Sequence, residues 1–162
     1  MSVIGIGGTS RSGKSSLAIS LSEVLENATV IHQDEFNAEI LPRIRDHVDW
    51  EIPAAVDFKK IISSIEEKQL SYDHIVVEGI LIFAHPGLNS LFDKRIVLTI
   101  DEESFKKRKR LDLRWGQEPE WYIQHIWDSH LEYGFPPQKF DQLVLNTSTS
   151  IDIDQAINYI RR

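Results

Sequence analysis

The sequence predicts an α/β fold in which a parallel sheet of five strands is covered by helices on both faces. Short apolar runs, one of them rich in β-branched residues, are typical of buried strands. Between them lie longer segments whose apolar residues recur at helical spacing. Strands that alternate with helices form parallel sheets, and ligands bind such sheets at the carboxyl ends of the strands.

The elements follow in order along the chain, and we expect residues 1–162 to form a single domain. The expected strands lie at residues 3–6, 29–31, 75–77, 95–100 and 142–145. The expected helices lie at residues 14–26, 54–68, 102–114, 119–133 and 152–161. The segment 37–53, which contains two prolines, is expected to be irregular.

The composition is that of an ordinary globular protein, with 41% hydrophobic and 27% charged residues. The net charge of −7 argues against nucleic acid as the main partner, because an acidic chain repels phosphate backbones. The chain has no cysteine, which excludes disulfides and thiolate chemistry. No apolar run approaches the ~20 residues of a membrane span, and no signal peptide is recognisable. We therefore expect a cytoplasmic monomer or homodimer without a membrane partner.

A glycine-rich loop follows the first expected strand and opens the first expected helix. Residues 8–15 match the pattern G-x-x-x-x-G-K-[ST] without a mismatch. In this motif the backbone N–H groups and the helix dipole bind phosphate, the lysine reaches the outer phosphates, and the hydroxyl binds Mg²⁺. The match predicts a P-loop NTPase fold that binds ATP and Mg²⁺. The residues expected to bind the nucleotide are Gly8, Ser10, Arg11, Ser12, Gly13, Lys14, Ser15 and Ser16.

Acidic residues follow the second and third expected strands. Asp34 would lie near the γ-phosphate, where a carboxylate can accept the proton of an attacking hydroxyl. Capping of the following turn is an equally good interpretation of Asp34. Glu78 would lie beside Ser15 and could bind Mg²⁺. Two other interpretations of Glu78 are a solvated carboxylate at the strand end and an ion-pair partner of Lys14.

A basic segment, residues 106–110, is followed by Arg114 and Trp115. Such a run is usually a solvated helix face. In a phosphate-transfer enzyme it also suits a helical lid, here roughly residues 106–120, whose cations close on the phosphates. We expect one to three of these cations to contact ligand, from among Arg108, Arg110 and Arg114.

Four tryptophans stand in polar surroundings. Trp50, beside Asp49 and Glu51, could stack on a flat ring while its neighbours bind sugar hydroxyls. Trp115 is expected in a similar role, whereas Trp127 is expected to fill the core. The six histidines show no metal-ligand spacing.

Several segments resemble the nicotinamide riboside kinases, within the uridine kinase-like group of P-loop kinases. They stand in the family's order and cover most of the chain: GGTSRSGKSSLA, VIHQDEF, DWEIPAAVDF, IVVEGILIF, LFD, LTI and PEWYIQHIWDSHLEY. The resemblance implies transfer of the ATP γ-phosphate to the 5′-hydroxyl of nicotinamide riboside, a step of NAD salvage that yields nicotinamide mononucleotide.

The resemblance also implies roles by position. Asp34 corresponds to the general base, and Glu78 to the magnesium carboxylate. Trp50 falls where the family stacks an aromatic residue on the pyridinium ring. Glu51 falls where the family has a shorter aspartate on the ribose hydroxyls.

A ribose-binding arginine follows the fourth strand in this family, and Arg110 is its best match. We therefore include Arg110 with Lys14 and Asp34 among the predicted catalytic residues. The basic segment does not align without a gap, so Arg110 and Arg114 could exchange roles. Trp115 is the expected second stacking residue.

Three other functions stay open at this point. A uridine, cytidine or other small-metabolite kinase would share the phosphate site but bind a neutral acceptor. A nucleotide-binding regulator would need no acceptor base. An inactive binding module would not need the set of Lys14, Ser15, Asp34 and Glu78.

Overall fold

A computed structural model describes residues 1–114, 116–148 and 150–162. The strands are β1 (Ser2–Gly8), β2 (Ala28–His32), β3 (Arg43–Ile44), β4 (His47–Val48), β5 (His74–Gly79), β6 (Lys94–Thr99) and β7 (Leu143–Asn146). The α-helices are α1 (Lys14–Val24), α2 (Phe58–Lys68), α3 (Pro86–Asn89), α4 (Glu102–Leu111), α5 (Glu120–Tyr133) and α6 (Ile153–Ile160). Among the described residues, no helix is both long and apolar enough to cross a membrane.

The main sheet of the described chain has five parallel strands in the order β2-β5-β1-β6-β7. The central strand β1 pairs with β5 on one side and β6 on the other, so that Ile6 lies opposite Glu78 and Ile96. Because all these strands run in one direction, their carboxyl ends meet at one edge of the sheet. The phosphate loop follows β1 at the middle of that edge.

Helices cover both faces of the sheet, as predicted. On one face, Ile4 and Ile6 of β1 pack in a cluster with Leu17 and Leu21 of α1 and with residues of α6. On the other face, Val3 belongs to a cluster that includes residues of α2 and α3. Full burial of one such aliphatic side chain stabilises the fold by about 1.5–3 kcal/mol. The two clusters therefore hold the sheet edge, and the loops on it, in a fixed arrangement.

The structure corrects several predicted boundaries. Residues 37–53 are not wholly irregular, because β3 and β4 form a short antiparallel hairpin with Arg45 at positive φ in its turn. The second helix begins at residue 58 rather than 54, since the Asp57 side chain caps it by accepting a hydrogen bond from the Lys60 N–H. The helix expected at 102–114 ends at Leu111, where Asp112 adopts an extended conformation.

A smaller apolar cluster joins α4 and α5 beyond the end of β6. Phe105 of α4 is fully buried and stacks on Trp127 of α5, with ring centroids 5.3 Å apart. Ile100, at the end of β6, belongs to the same cluster. Trp127 is thus a core residue, as predicted. The cluster attaches the basic helix α4 to α5 and places both beside the phosphate loop.

Candidate active site

The phosphate loop has the backbone geometry that its glycines predict. Gly8 and Gly13 have φ values of 151° and 94°. A Cβ atom at Gly8 would lie 2.6 Å from the carbonyl oxygen of Leu98, so a side chain has no room there. Gly13 is the N-cap of α1, and the helix therefore begins at Lys14 with its N-terminal N–H groups directed into the loop. This arrangement suits a polyphosphate.

Lys14 lies at the centre of the acidic residues that the sequence singled out. Its ammonium group is buried and donates a hydrogen bond to the carbonyl oxygen of Thr9 at 2.9 Å. Burial lowers the pKa of Lys14, and the negative charges of Glu78, Asp34 and Glu51 oppose that lowering, in this order of strength. Three carboxylates from different parts of the chain thus act electrostatically on one buried cation.

Glu78 and Ser15 form a pair of oxygen ligands. The Ser15 hydroxyl donates a hydrogen bond to Oε1 of Glu78 at 2.9 Å. Nδ1 of His32, at the end of β2, lies 2.7 Å from the same oxygen. Because Glu78 is 4% exposed, its carboxylate is held in place by these contacts. The sequence analysis missed His32, although its position at a strand end was a usable signal.

Asp34 lies in the short 3₁₀ helix Gln33–Glu35 that follows β2. The preceding residue, Gln33, is buried and accepts a hydrogen bond from the Leu81 N–H at 2.8 Å, which ties the end of β2 to the end of β5. No side-chain hydrogen bond caps the 3₁₀ helix, and Asp34 is exposed. Its charge acts on Lys14 and also on Arg114. The geometry therefore leaves the Asp34 carboxylate available at the sheet edge.

Trp50 and Glu51 follow the hairpin and differ in environment. Trp50 is 41% exposed, so its ring is available for stacking. Glu51 is 9% exposed and lines a small cavity next to Thr9 of the phosphate loop. Burial raises the pKa of Glu51 to about 7; the negative charges of Asp49 and Glu118 raise it too, while Lys109 and Lys14 lower it. Glu51 thus lies next to the phosphate loop.

Arg110, the predicted acceptor-binding arginine, pairs with an acidic side chain of α5. Its guanidinium forms two 2.8 Å hydrogen bonds to Glu120 on an exposed surface. Lys109 instead is 6% exposed, lies 2.9 Å from Glu118 and is the cation that acts most strongly on Glu51. The burial of Lys109 could have been predicted from the sequence, because Lys109 stands four residues after Phe105 and therefore lies on the same buried face of the helix.

Arg108 does not stand free in solution. Its guanidinium donates hydrogen bonds to the carbonyl oxygens of Thr147 at 2.7 Å, Ser148 at 3.3 Å and Arg11 at 3.2 Å. It therefore joins α4 to the phosphate loop and to the loop after β7. These contacts position Arg108 beside the predicted nucleotide site. Its guanidinium N–H groups, however, already donate hydrogen bonds to backbone carbonyl oxygens.

Arg11 and Arg114 share one buried carboxylate. Arg114 forms two 2.8 Å hydrogen bonds with Asp112, and Nε of Arg11 lies 3.8 Å from the same carboxylate. Hydrogen bonds from Arg114, together with the charge of Arg11, hold the pKa of Asp112 well below its usual range despite partial burial. Asp112 thus brings two arginines to the phosphate loop, and the sequence analysis did not single it out.

The remaining predicted residues have mixed surroundings. The Ser12 hydroxyl is buried, with no hydrogen-bond partner among the described residues, whereas Ser16 is exposed on α1. Ser10 is half-buried in the loop. Trp115, the predicted second stacking residue, lies outside the described residues.

Comparison with known proteins identifies relatives for this chain. No family model matches it. Nicotinamide riboside kinase 1 from Mus musculus is 27% identical over 150 residues, covering 81% of this chain and 77% of its own length. The enzyme named nicotinamide riboside kinase from Saccharomyces cerevisiae is 23% identical, covering 79% and 75%. These relatives of the chain are nicotinamide riboside kinases. The resemblance seen in the sequence is thereby confirmed.

Solved structures support the same fold. A shikimate kinase from Bacteroides thetaiotaomicron superposes with a TM-score of 0.60 and 15% identity, covering 99% of this chain and 96% of its own. A possible uridine kinase from Bacillus stearothermophilus gives 0.57 and 19%, covering 88% and 86%. The P-loop NTPase fold, predicted from the phosphate loop and from the alternation of strands and helices along the chain, is confirmed. The curated relatives are kinases, which confirms the predicted class, a phosphotransferase with an alcohol acceptor.

Proposed function

We propose that this protein transfers the γ-phosphate of ATP to the 5′-hydroxyl of nicotinamide riboside, giving nicotinamide mononucleotide for NAD salvage. The observation that carries the proposal is the Ser15–Glu78 pair beside the buried Lys14 of the phosphate loop, with the exposed carboxylate of Asp34 just after the end of β2. Binding of a triphosphate would by itself account for Lys14. Transfer of the phosphate to an alcohol needs in addition a base and an acceptor site, and the exposed carboxylate of Asp34 and the segment of Trp50 and Glu51 suit these two roles.

The nucleotide would bind with its phosphates in the loop at residues 8–15. The backbone N–H groups, the N-terminus of α1 and the Lys14 ammonium supply positive charge where the transferred group carries negative charge. Arg11 and Arg114, held by Asp112, are placed to add to that charge. Phosphoryl transfer needs little covalent help, so positioning and charge account for most of the catalysis.

The residues at the end of β5 fit a magnesium ion. Magnesium prefers oxygen ligands and takes one or two carboxylates together with substrate phosphates. Ser15 and Glu78 offer a hydroxyl and a carboxylate 2.9 Å apart beside the phosphate loop. When bound, the ion would neutralise charge on the β- and γ-phosphates. Ser15 and Glu78 are the residues that would hold it.

Asp34 is proposed as the general base. Its carboxylate is exposed at the end of β2, and no capping hydrogen bond occupies it. It would accept the proton of the 5′-hydroxyl as the oxygen attacks the γ-phosphorus and the bond to the ADP leaving oxygen breaks.

The acceptor would lie between Trp50 and Glu51 on one side and Lys109 on the other. Trp50 offers an exposed ring for stacking, and Glu51 offers a carboxylate to ribose hydroxyls. We propose Lys109, in place of Arg110, as the cation of α4 that contacts the acceptor. The pyridinium of nicotinamide riboside is cationic, which favours it over neutral uridine beside the carboxylates of Asp49 and Glu51. Residues 106–120 keep their proposed role as a lid over this site, and Trp115 keeps its proposed role as the second stacking residue.

An ADP-release assay over a panel of nucleosides tests this function. Nicotinamide riboside should stimulate Mg²⁺-dependent ADP release more strongly than uridine, cytidine or adenosine. Strong stimulation by uridine without stimulation by nicotinamide riboside would transfer the proposal to the uridine kinase alternative. Tight ATP binding without stimulation by any nucleoside would favour a regulatory protein. Mass spectrometry of the product should show one added phosphate on the nucleoside.

A further inference from the structure

A buried carboxylate connects the predicted acceptor segment to α5. Oδ1 of Asp49 lies 2.9 Å from Nε2 of His125, and it also accepts a hydrogen bond from the backbone N–H of Glu51 at 3.1 Å. The side chain of Asp49 is 6% exposed, and that of His125 is 21% exposed. Oδ1 of Asp49 thus contacts both His125 of α5 and the backbone of Glu51. His125 and Asp49 are therefore linked directly to the backbone of Glu51.

The hairpin that precedes Asp49 packs on the same part of α5. The Tyr122 hydroxyl donates a hydrogen bond to the carbonyl oxygen of Val48 at 3.1 Å. The rings of His47 and Tyr122 are stacked at 5.3 Å, and the guanidinium of Arg45 lies 4.2 Å from the ring centre of Trp121. These contacts attach the hairpin to the first half of α5. The pair His125–Asp49 continues the attachment as far as the acceptor segment.

The same helix also supports the cation opposite Glu51. Helices α4 and α5 share a core in which Phe105 stacks on Trp127. Lys109 follows on the same face of α4 and acts electrostatically on Glu51. Helix α5 is therefore the common support of two groups that arrive from distant parts of the chain. The contact of His125 with Asp49 is the point at which the segment that carries Glu51 meets this support.

We propose that His125 is a positioning residue for the acceptor, acting through Asp49 to hold Trp50 and Glu51 against Lys109. The inference rests on the proposed function, in which this segment binds the nucleoside. Without the imidazole, Asp49 would be a buried carboxylate with one partner fewer, and its cheapest response is to turn towards water. The backbone hydrogen bond to Glu51 would be lost with that rotation. The nucleotide site is built on β1 and α1, so the effect on it should be much smaller.

Steady-state kinetics of three variants with nicotinamide riboside and ATP tests the proposal. His125→Ala should raise the KM for nicotinamide riboside about 10- to 100-fold, since a displacement near 1 Å can cost two orders of magnitude. Its KM for ATP should stay within about twofold. His125→Gln keeps an N–H donor in place of Nε2 and should restore the KM to within about threefold of wild type. Gln124→Ala is the matched control, because Gln124 is the neighbouring residue of α5 but bonds to Lys106 and Asp128 instead.

Hydrogen–deuterium exchange of the unliganded protein provides a readout that does not depend on turnover. Residues 47–51 should exchange about tenfold faster in His125→Ala than in wild type or Gln124→Ala, while the phosphate loop should not change. An unchanged KM for the acceptor, equal rises in both KM values, or unchanged exchange of this segment would overturn the proposal. Failure of wild type to phosphorylate any nucleoside would count against the proposed function alone, and the exchange comparison would still decide whether His125 orders the segment.

Discussion

Replacement of Glu51 by glutamine should stabilise the unliganded protein, and more so at pH 8 than at pH 5. Burial raises the pKa of the Glu51 carboxyl from 4.5 to about 7. The folded protein therefore holds this proton up to about pH 7, whereas the unfolded chain releases it near pH 4.5. Between these values the folded state binds more protons, so its stability falls as the pH rises through the window. Glutamine removes this dependence because it does not titrate.

The size of the effect follows from the two pKa values. At about 1.4 kcal/mol per unit of pKa difference, ionisation of Glu51 costs about 3 kcal/mol over the whole window, of which about 2 to 3 kcal/mol falls between pH 5 and pH 8. For a chain of 162 residues this corresponds to about 5 to 10 °C in Tm. The stability difference between Glu51→Gln and wild type should widen by that amount from pH 5 to pH 8.

Urea unfolding and thermal melts at pH 5, 6.5 and 8 measure this difference. Glu67→Gln, at an exposed position of α2, is the control for the chemical change itself and should show no widening with pH. A difference between Glu51→Gln and wild type that is the same at all three pH values would refute the assignment of a raised pKa to Glu51. The same variant should bind the nucleoside acceptor more weakly, as expected if a carboxylate that destabilises the fold is retained for binding.

Three further predictions concern catalysis. Asp34→Ala should lower kcat about 10²- to 10⁴-fold while ATP binding, measured by calorimetry, stays near the wild-type value; near-normal turnover would exclude Asp34 as the base. Glu78→Ala should raise the Mg²⁺ concentration needed for half-maximal turnover and for ATP binding at least about tenfold, and an unchanged Mg²⁺ titration would count against the metal role. Lys109→Met should lower kcat/KM for nicotinamide riboside about 10- to 100-fold, whereas Arg110→Ala should stay within about twofold; the reverse result would restore Arg110 as the acceptor cation.

The features that the sequence determined by itself are local ones. The phosphate loop is contiguous from Gly8 to Ser15, and its glycines, lysine and hydroxyl are positioned by their own backbone geometry. The strands are short apolar runs whose burial pattern depends on the side chains within each run. Glu78 directly follows such a run and two residues separate Asp34 from another, so a parallel arrangement is enough to bring them to the edge that holds Lys14. Local patterns of this kind can be recognised without knowledge of long-range contacts.

Only the tertiary structure decided which cation of α4 lies on the buried face of the helix. Lys109 is buried and Arg110 is exposed because Phe105 sets the rotation of α4 by packing on α5. His125 and Asp49 are 76 residues apart and meet only because the hairpin docks on α5. Their contact depends on how two elements pack, and such packing is the sum of many small apolar contacts with no signal in either segment alone. Neighbouring cations such as Lys109 and Arg110 are equivalent as members of a basic run. Burial on one face of the helix gives them different surroundings.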